Sequence, residues 1–470
     1  MHRGRRFERR RALRVLVAVT LGLAALASPP LVRGEPAARA QVPLPLGPNV
    51  LIIMTDDQRP ADTLKVMDAT QRIFRDQGTR YRKAVATTPV CCPSRASIFT
   101  RRYAHNHRVL TNDAGEAGKL DHQTTLQYYL RSAGYRTGFF GKYLNSWDIR
   151  NDPPFFDRFA IFPGGKERGY ESGTWNVDGQ LQTVDAYSTS YISSRTQEFL
   201  DESETTDLQP WLLFLWVYAP HSPYIPESRY QDAAVPPRVK NPAVFERNLS
   251  DKPRYVRKSP PPFRPMFEVY APTLRTLMSV DDLVEDTFDK MTALGESETT
   301  LAFFVSDNGF LWNEHRVVGK YLPYVPSIRI PFLARWPGRI VPGTIDHRLV
   351  ANIDIAPTVL EAAGIDPAHT VDGRSLITGP TRERILTEAW DEVGIPIPTW
   401  ASTVTDRYHY IEYYTKGGKR FFREYYDLVK DPWELRNLFG DRNRSNDPDD
   451  ARALARRLRR DRTCAGSGCP

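Results

Sequence analysis

The sequence predicts an α/β protein in which helices flank a large, mainly parallel sheet, with a smaller C-terminal domain that contains an antiparallel sheet. Three uninterrupted apolar runs, at residues 50–54, 211–218 and 301–305, carry the first part of this prediction. Such runs are typical of parallel strands, because helices bury both faces of a parallel sheet. Helical patterns alternate with the runs, which is the order of elements in α/β proteins.

The alternation is clearest between residues 124 and 145. Thr124 can cap a helix, apolar residues recur at helical spacing up to Ala133, and Gly134 ends the helix before the next strand. Residues 274–295 repeat this pattern and end at Gly295. Near the C-terminus, residues 408–427 read as two antiparallel strands around a glycine turn at 417–418.

The first forty residues have the composition of an export signal. They combine an arginine-rich start, an apolar run at 15–27 and two small-residue cleavage candidates. Paired arginines before the apolar run leave a twin-arginine export route open. We therefore expect a secreted, periplasmic or cell-surface protein. The run is too short to span a bilayer comfortably, so we expect no membrane span in the mature protein.

Most of the net charge of +8 lies in this N-terminal segment, which holds nine arginines against Glu8 and Glu35. The remaining residues are nearly neutral in sum. A strongly basic surface is what a nucleic-acid partner requires, so we expect no nucleic-acid partner.

Polar residues follow each of the three apolar runs. Asp56 and Asp57 come after the first, His221 after the second, and Asp307 and Asn308 after the third. Ligands of open α/β sheets bind beyond the carboxyl ends of the strands. Any one of these acidic residues is more often a turn former or a helix cap, but two pairs after two buried strands favour a metal site. Oxygen ligands of this kind suit Ca²⁺ or Mg²⁺ rather than zinc.

The stretch "ATTPVCCPSRASIFTRRYAHNHRV" holds two adjacent cysteines, Cys91 and Cys92, and a serine, Ser94, that predicts a helix start. Adjacent cysteines form a disulfide only with strain. Taken alone, each is most simply a small buried apolar residue. The other two cysteines, Cys464 and Cys469, can close a small disulfide loop in an oxidising compartment.

The segment "CCPSRASIFTRRY" resembles the signature of the sulfatase family, C-x-P-S-R followed by a short helix, whose first cysteine is oxidised to formylglycine before folding. Cys91 fits the modified position and Cys92 the free one. The resemblance runs from about Asn49 to Leu438 through further segments in family order: "NVLIIMTDDQRP", "FGKYLN", "APHSPY", "SDNGF", "VGKYLPYVPSIRIPFLARWPG", "NIDIAPTVLEAAGI" and "EYYDLVKDPWELRNL".

This resemblance implies an alkaline-phosphatase-like fold and a sulfuric ester hydrolase that releases sulfate from sulfate monoesters. The nucleophile is a formylglycine hydrate at position 91, made by a formylglycine-generating enzyme; one hydroxyl attacks sulfur and the other expels sulfate. The implied metal ligands, for Ca²⁺ or alternatively Mg²⁺, are Asp56, Asp57, Asp307, Asn308 and residue 91. The implied catalytic set is Cys91, Arg95, which holds the hydrate, and Lys142, His221 and Lys320, which bind sulfate and assist the leaving oxygen.

Composition and resemblance together predict a signal peptide (1–40), a catalytic sulfatase domain (41–380), a C-terminal antiparallel-sheet subdomain (381–440) and a polar, basic tail (441–470) that we expect to be solvated.

Two departures from the family pattern bear on the site. Leu144 stands where many sulfatases have a histidine, so the group that deprotonates the hydrate is open; His105 and His107 are near in sequence but fit loop packing better. Arg101 stands where the family often has glycine. Segments such as "HNHRVLTN" and "GKYLN" resemble the N-acetylglucosamine-6-sulfatase branch most, which implies a sulfated sugar or glycan as substrate.

Two other functions fit parts of the sequence. A phosphonate or phosphate ester hydrolase of the same superfamily could use the same metal and formylglycine, and comparing sulfate release with phosphate release separates it. A non-catalytic protein that binds sulfated glycans would keep Cys91 unmodified and bind without turnover.

Overall fold

A large sheet runs through the protein. The computed structural model describes residues 47–60, 62–163, 169–205, 209–258 and 266–470. The strands of this sheet are β1 (Asn49–Thr55), β2 (Thr79–Val85), β3 (Arg136–Lys142), β4 (Arg158–Phe162), β5 (Gly173–Val177), β6 (Gln180–Val184), β7 (Trp211–Trp216), β8 (Thr300–Ser306), β11 (Phe332–Arg335) and β12 (Thr344–Ala351). Their order is β12-β2-β11-β8-β1-β7-β3-β4-β5-β6. Between β8 and β11 in the chain, β9 (Leu311–Trp312) and β10 (Val318–Gly319) form a separate two-stranded ribbon.

The centre of this sheet is parallel. β1 pairs in parallel with β7 on one side and with β8 on the other, and β3 continues the parallel arrangement with β7 and β4. The three apolar runs of the sequence are these central strands, so the prediction of a mainly parallel sheet is confirmed. Antiparallel pairs occur where β11 inserts between β2 and β8 and at the β4-β5-β6 edge.

Both faces of the central strands are buried, which explains why these strands are apolar throughout. Helices of the described chain are α1 (Asp68–Thr70), α2 (Cys91–Thr100), α3 (Ala104–His107), α4 (Leu126–Ser132), α5 (Ser188–Glu204), α6 (Arg254–Arg257), α7 (Met266–Ala293), α8 (Val325–Ile328), α9 (Ile355–Ala362) and α10 (Ala451–Asp461). Alternate residues of a strand point to opposite faces. Ile52 packs in one cluster with Phe99 of α2 and Val359 of α9, whereas Ile53 packs in a second cluster with Leu277 of α7.

A second sheet follows near the C-terminus. Its antiparallel strands, in the order β13-β14-β15-β16, are β13 (Ile385–Ala389), β14 (Trp400–Val404), β15 (Tyr408–Tyr414) and β16 (Arg420–Asp427). The hairpin predicted around residues 417–418 is formed by β15 and β16, and Gly418 takes a positive φ of 76° in its turn. The predicted small antiparallel sheet is therefore confirmed. The domain boundaries at 380 and 440 stay predictions.

The tail is less solvated than the sequence analysis expected. Helix α10 buries Leu454 and Leu458, and Cys464 and Cys469 form a disulfide, so the pairing we considered is present. Cys469 is 3% exposed. The expectation of a solvated tail is wrong for these residues, because two leucines at helical spacing give α10 an apolar face.

The predicted signal peptide lies outside the described residues. No helix among the residues that the structure describes is both long and apolar enough to cross a membrane.

Candidate active site

Two acidic residues follow the central strand β1. Asp56 and Asp57 come directly after Thr55 and are buried. The Asp56 N–H donates to the carbonyl of Ala219 (3.1 Å), and this hydrogen bond connects the residues after β1 to the segment after β7. Asp57 has a φ of 71°, a left-handed conformation that aspartate adopts more readily than most residues. Both carboxylates thus lie at the carboxyl end of the sheet.

The neighbouring strand β8 supplies the second pair. The Asp307 N–H donates to the carbonyl of Thr55 (3.1 Å), and Asp307 Oδ1 accepts from the Asp57 N–H (3.2 Å). Asn308 Nδ2 donates to Asp57 Oδ1 (2.6 Å). Because β1 and β8 are parallel neighbours, the structure brings together the four aspartate and asparagine residues among the five proposed metal ligands.

Helix α2 carries the cysteine at its first position. Cys91 Sγ donates to Asp56 Oδ1 (3.3 Å) and accepts from Lys320 Nζ (2.6 Å). The helix begins three residues before the start expected at Ser94, whose hydroxyl instead donates to the carbonyl of Asp307. The thiol therefore points into the cluster of carboxylates from the start of a buried helix.

Arg95 follows Cys91 by about one helical turn and is fully buried. Its Nε and Nη2 lie 3.0 and 2.9 Å from Asp307 Oδ2, and Nη2 also donates to Asp56 Oδ2 (3.2 Å). Nη1 donates to the carbonyl of Lys142 (2.5 Å), and the guanidinium lies over the ring of Trp216 (5.3 Å). Arg95 is thus held in one orientation across two of the acidic residues.

Two lysines and a histidine complete the predicted set. Lys142, at the end of β3, donates to Asp56 Oδ2, and Lys320 Nζ donates to Asp57 Oδ1 (2.6 Å). His221 Nε2 lies 3.7 Å from Asp57 Oδ2. His221 Nδ1 lies 2.7 Å from the carbonyl of Ser222. A carbonyl only accepts, so we place the proton of the neutral ring on Nδ1 and leave the Nε2 lone pair free.

Burial and charge act in opposite directions on the two buried aspartates. Burial raises the pKa of Asp56, but the positive charges of Lys142, Arg95 and Lys320 outweigh it, and the pKa of that carboxyl lies well below its ordinary value. At Asp307, burial and then the negative charge of Asp56 raise the pKa to about 6. The centre therefore has one carboxylate that is firmly ionised and one that holds its proton more tightly.

The same forces set the state of the thiol and of the lysine beside it. Burial, followed by the charge of Asp56, raises the pKa of the Cys91 thiol well above its ordinary value. Burial lowers the pKa of Lys320, but the negative charges of Asp57 and Asp56 outweigh it, so that the pKa of the ammonium group is raised. At neutral pH the cysteine is a thiol and Lys320 carries a positive charge.

The donor set fits a hard divalent cation. Carboxylate oxygens of Asp56, Asp57 and Asp307 and the sulfur of Cys91 all lie within 4.8 Å of one another. Asn308 Oδ1 is buried and has no hydrogen-bond partner among the described residues, which leaves an oxygen acceptor that a cation can satisfy. Oxygens from carboxylates and amides are the ligands of Ca²⁺ and Mg²⁺.

The histidines near the cysteine in sequence have other partners. His105 lies 2.8 Å from Glu388 Oε1 and donates to the carbonyl of Cys464 (2.9 Å), and His107 contacts the hydroxyl of Ser97 (2.9 Å). Leu144 is buried in the apolar cluster. A ring nitrogen of His221, by contrast, lies within 4.8 Å of Cys91 Sγ.

Three residues around the start of α2 were not found by the sequence analysis. Asn112 Oδ1 accepts from the Cys92 N–H (2.9 Å), and Asn112 Nδ2 donates to the Tyr321 hydroxyl (3.1 Å). Glu392 accepts from the Asn112 N–H (3.0 Å) and from the Tyr321 hydroxyl (3.3 Å). These residues come from three separate loops, so no spacing in the sequence connects them.

Comparison with known families identifies the architecture. The family model described as Sulfatase matches residues 48–365, and the one described as N-sulphoglucosamine sulphohydrolase, C-terminal, matches residues 313–461. The chain belongs to the sulfatase family. The sulfatase match covers β1, α2 and β8, the elements that carry the acidic pairs and Cys91.

Several relatives of this sulfatase are N-acetylglucosamine-6-sulfatases by name. The one from Homo sapiens is 32% identical over 70% of this chain and 64% of its own length, and the one from Capra hircus is 28% identical over 90% and 84%. A putative extracellular sulfatase Sulf-1 homolog from Caenorhabditis elegans is 32% identical over 70% of this chain. This sulfatase chain spans 48% of the length of that C. elegans relative.

Solved structures share the fold. A protein in complex with its substrate D-glucosamine-2-N,6-O-disulfate superposes with a TM-score of 0.73 at 21% identity, over 88% of this chain and 97% of that one. A phosphonate monoester hydrolase from Silicibacter pomeroyi gives a TM-score of 0.66 at 22% identity, over 88% and 94%. At these identities the likeness is one of fold.

Proposed function

We propose that this protein is a secreted sulfuric ester hydrolase that releases inorganic sulfate from sulfated sugars such as N-acetylglucosamine 6-sulfate. The observation that carries the proposal is the position of Cys91 among the acidic residues. Its Sγ lies 2.6 Å from Lys320 Nζ and 3.3 Å from Asp56 Oδ1. The names of the human and goat relatives support the sugar, and the composition of residues 1–40 supports export.

Residue 91 acts in this proposal as formylglycine rather than as cysteine. A protonated thiol is a poor nucleophile, and the raised pKa of Cys91 keeps it protonated. The formylglycine hydrate supplies one hydroxyl to attack sulfur and a second whose deprotonation allows sulfate to leave. Because Cys91 is only 1% exposed, the formylglycine-generating enzyme must act before the chain folds.

A divalent cation, Ca²⁺ or alternatively Mg²⁺, is proposed to bind Asp56, Asp57, Asp307, Asn308 and residue 91. When bound, it supplies positive charge that polarises a coordinated oxygen. Three carboxylates in this cluster face three permanent cations, Arg95, Lys142 and Lys320. A further divalent charge gives the site a positive excess, which suits a sulfate monoester anion.

The chain's own residues then have separate tasks. Arg95, fixed by Asp56 and Asp307, holds the hydrate in place, while Lys320 lies within hydrogen-bonding distance of residue 91 and holds a proton for the leaving oxygen. The free Nε2 of His221 is suited to accept a proton from the hydrate. We assign to His221 the proton transfer that Leu144 cannot perform.

The test compares two neighbouring cysteines. We expect protein produced in its native host to carry an aldehyde at Cys91, detected as the mass change of the peptide that spans residues 87–95. We expect Cys91→Ala to abolish sulfate release from N-acetylglucosamine 6-sulfate, because no hydrate can form. Sulfate is measured by ion chromatography.

Cys92→Ala is the matched control and should keep most of the activity, since Cys92 packs in the apolar cluster. Full activity of Cys91→Ala would refute the mechanism. If the protein hydrolyses a phosphonate monoester faster than the sulfate ester, it is a phosphonate or phosphate ester hydrolase instead.

A further inference from the structure

A cavity of about 690 Å³ adjoins the candidate active site. Asp57, His221 and Lys320 contribute to its lining, so a sulfate ester bound there would place the rest of its leaving group in this cavity. Part of the wall comes from the connection between β13 and β14, residues 390–399, which we call the rim loop. The rim loop belongs to the small C-terminal sheet, whereas the acidic residues belong to the large one.

The wall of this cavity is largely apolar. Phe310, Val317 and Leu322 line it together with Ile395, Pro396 and Ile397 of the rim loop. Apart from the active-site groups Asp57, His221 and Lys320, Lys258 is the one charged residue among the described lining residues, and it is exposed. A leaving group with a positive charge would lose its hydration water where it contacts Ile395 and Ile397. It would also be repelled by the positive charges of Lys258 and Lys320.

Hydrogen bonds connect the rim loop to helix α2, which carries Cys91. Glu392, at the start of the rim loop, accepts from the Asn112 N–H (3.0 Å) and from the Tyr321 hydroxyl (3.3 Å). Asn112 in turn accepts from the Cys92 N–H (2.9 Å). Because these bonds connect the loop to the first turn of α2, the apolar wall has a defined position relative to residue 91, as a specificity subsite requires.

We propose that the rim loop forms an apolar subsite that selects an uncharged substituent over a cationic one on the leaving sugar, an N-acyl group over a free amine in the substrate class proposed above. The inference rests on that proposed function. An N-acyl group replaces an ammonium with a neutral amide and adds apolar surface, which Ile395 and Ile397 can remove from water. The subsite thus discriminates between amino sugars that share the same 6-sulfate.

The experiment measures kcat/KM for three sulfate esters of one sugar: glucosamine 6-sulfate, its N-acetyl derivative and its N-butyryl derivative. We expect N-acetylation to raise kcat/KM about tenfold or more, and the longer chain to raise it further, by up to about fourfold per fully buried methylene. The increase should appear mainly as a lower KM, because the subsite does not touch the reacting atoms.

Rim-loop variants test whether these residues cause the effect. In Ile395→Ser and Ile397→Ser, we expect the preference for the acylated sugars over glucosamine 6-sulfate, taken as a ratio of kcat/KM values, to fall several-fold. Val393→Ser is the matched control, because Val393 is on the same loop but is 85% exposed and is not a lining residue. It should retain the full preference.

The outcomes separate this inference from the proposed function. If kcat/KM is the same for all three esters in the wild-type protein, the apolar subsite is refuted while the sulfatase activity stands. Equal preference in the wild-type protein and both isoleucine variants would also refute it. If formylglycine-containing protein releases sulfate from none of the esters, the proposed function fails first.

Discussion

Two neighbouring cysteines differ in chemistry because they face different surroundings. Cys91 Sγ contacts Asp56 and Lys320, whereas Cys92 Sγ lies 3.6 Å from the carbonyl of Asn145 and packs among apolar side chains. Consecutive residues of a helix are rotated by about 100° about its axis, so only one of the two can face the carboxylates. Residue type alone cannot make this distinction, since both residues are cysteines.

The raised pKa of Asp307 should make the proposed metal binding depend on pH. Burial and Asp56 raise that pKa to about 6, and a carboxyl must lose its proton before it binds a cation. Protonation is therefore favoured below pH 6 and competes with the metal there, whereas above pH 7 the competition disappears. We expect the affinity for Ca²⁺ to be about tenfold lower at pH 5 than on the plateau near pH 7.5, measured by isothermal titration calorimetry.

Asp307→Asn provides the control for this prediction. It removes the titrating group and one ligand charge, so Ca²⁺ should bind more weakly at every pH and the step near pH 6 should disappear. An unchanged step in this variant would assign the pH dependence to another group.

At the scale of the elements, the end of helix α2 explains a departure from the family pattern. Arg101 takes the left-handed conformation at the helix end, with a φ of 59°, where glycine carries no steric cost. The arginine is fully buried, donates from Nη1 to the carbonyl of Thr124 (2.9 Å) and lies over the ring of Tyr129 (4.7 Å). These contacts offset the conformational cost.

Arg101→Gly should therefore destabilise the protein despite relieving that cost. The relief is worth about 1 kcal/mol, whereas the lost charged hydrogen bond and ring contact are worth about 2–4 kcal/mol together. We expect a net loss of about 1–3 kcal/mol in the free energy of unfolding, measured by urea denaturation.

Arg108→Gly is the matched control for this change. Arg108 ends helix α3 with a φ of 70°, but it is exposed. Here the relief of the left-handed conformation dominates, and stability should be unchanged or up to about 1 kcal/mol higher. A loss as large as that of Arg101→Gly would show that glycine itself, not the lost arginine contacts, is responsible.

The elements also show what the sequence could predict about the site. Asp56 and Asp307 were predictable as neighbours, because apolar parallel strands place the residues that follow them at one edge of the sheet. The start of α2 was misplaced toward Ser94, because Val90 at the cap has no side-chain acceptor and the capping oxygen comes from Asn112 in another loop. A partner from a distant loop leaves no local signal.

At the scale of the whole molecule, hydrogen bonds join residues 466–470 to residues that lie far away in the sequence. The carbonyl of Pro470 accepts from the Tyr103 hydroxyl (3.0 Å) and from Arg382 Nε (3.1 Å), and the Gly466 N–H donates to Asp372 (2.7 Å). Tyr103 directly precedes α3, the short helix that follows α2. The pairing of Cys464 with Cys469 could be predicted from the sequence. The hydrogen bonds of Gly466 and Pro470 could not, because their partners lie more than eighty positions away.

Removing the disulfide should weaken this attachment without changing the chemistry of the site. The closed loop between Cys464 and Cys469 is short, so the entropic gain from the cross-link is only about 2 kcal/mol. We expect Cys464→Ser/Cys469→Ser to lower the free energy of unfolding by about that amount, with kcat per folded molecule unchanged. Dithiothreitol should lower the stability of the wild-type protein equally and leave the double variant unaffected, because both treatments remove the same cross-link. A fall in kcat in the stable, folded double variant would instead show that the attached segment also positions α2.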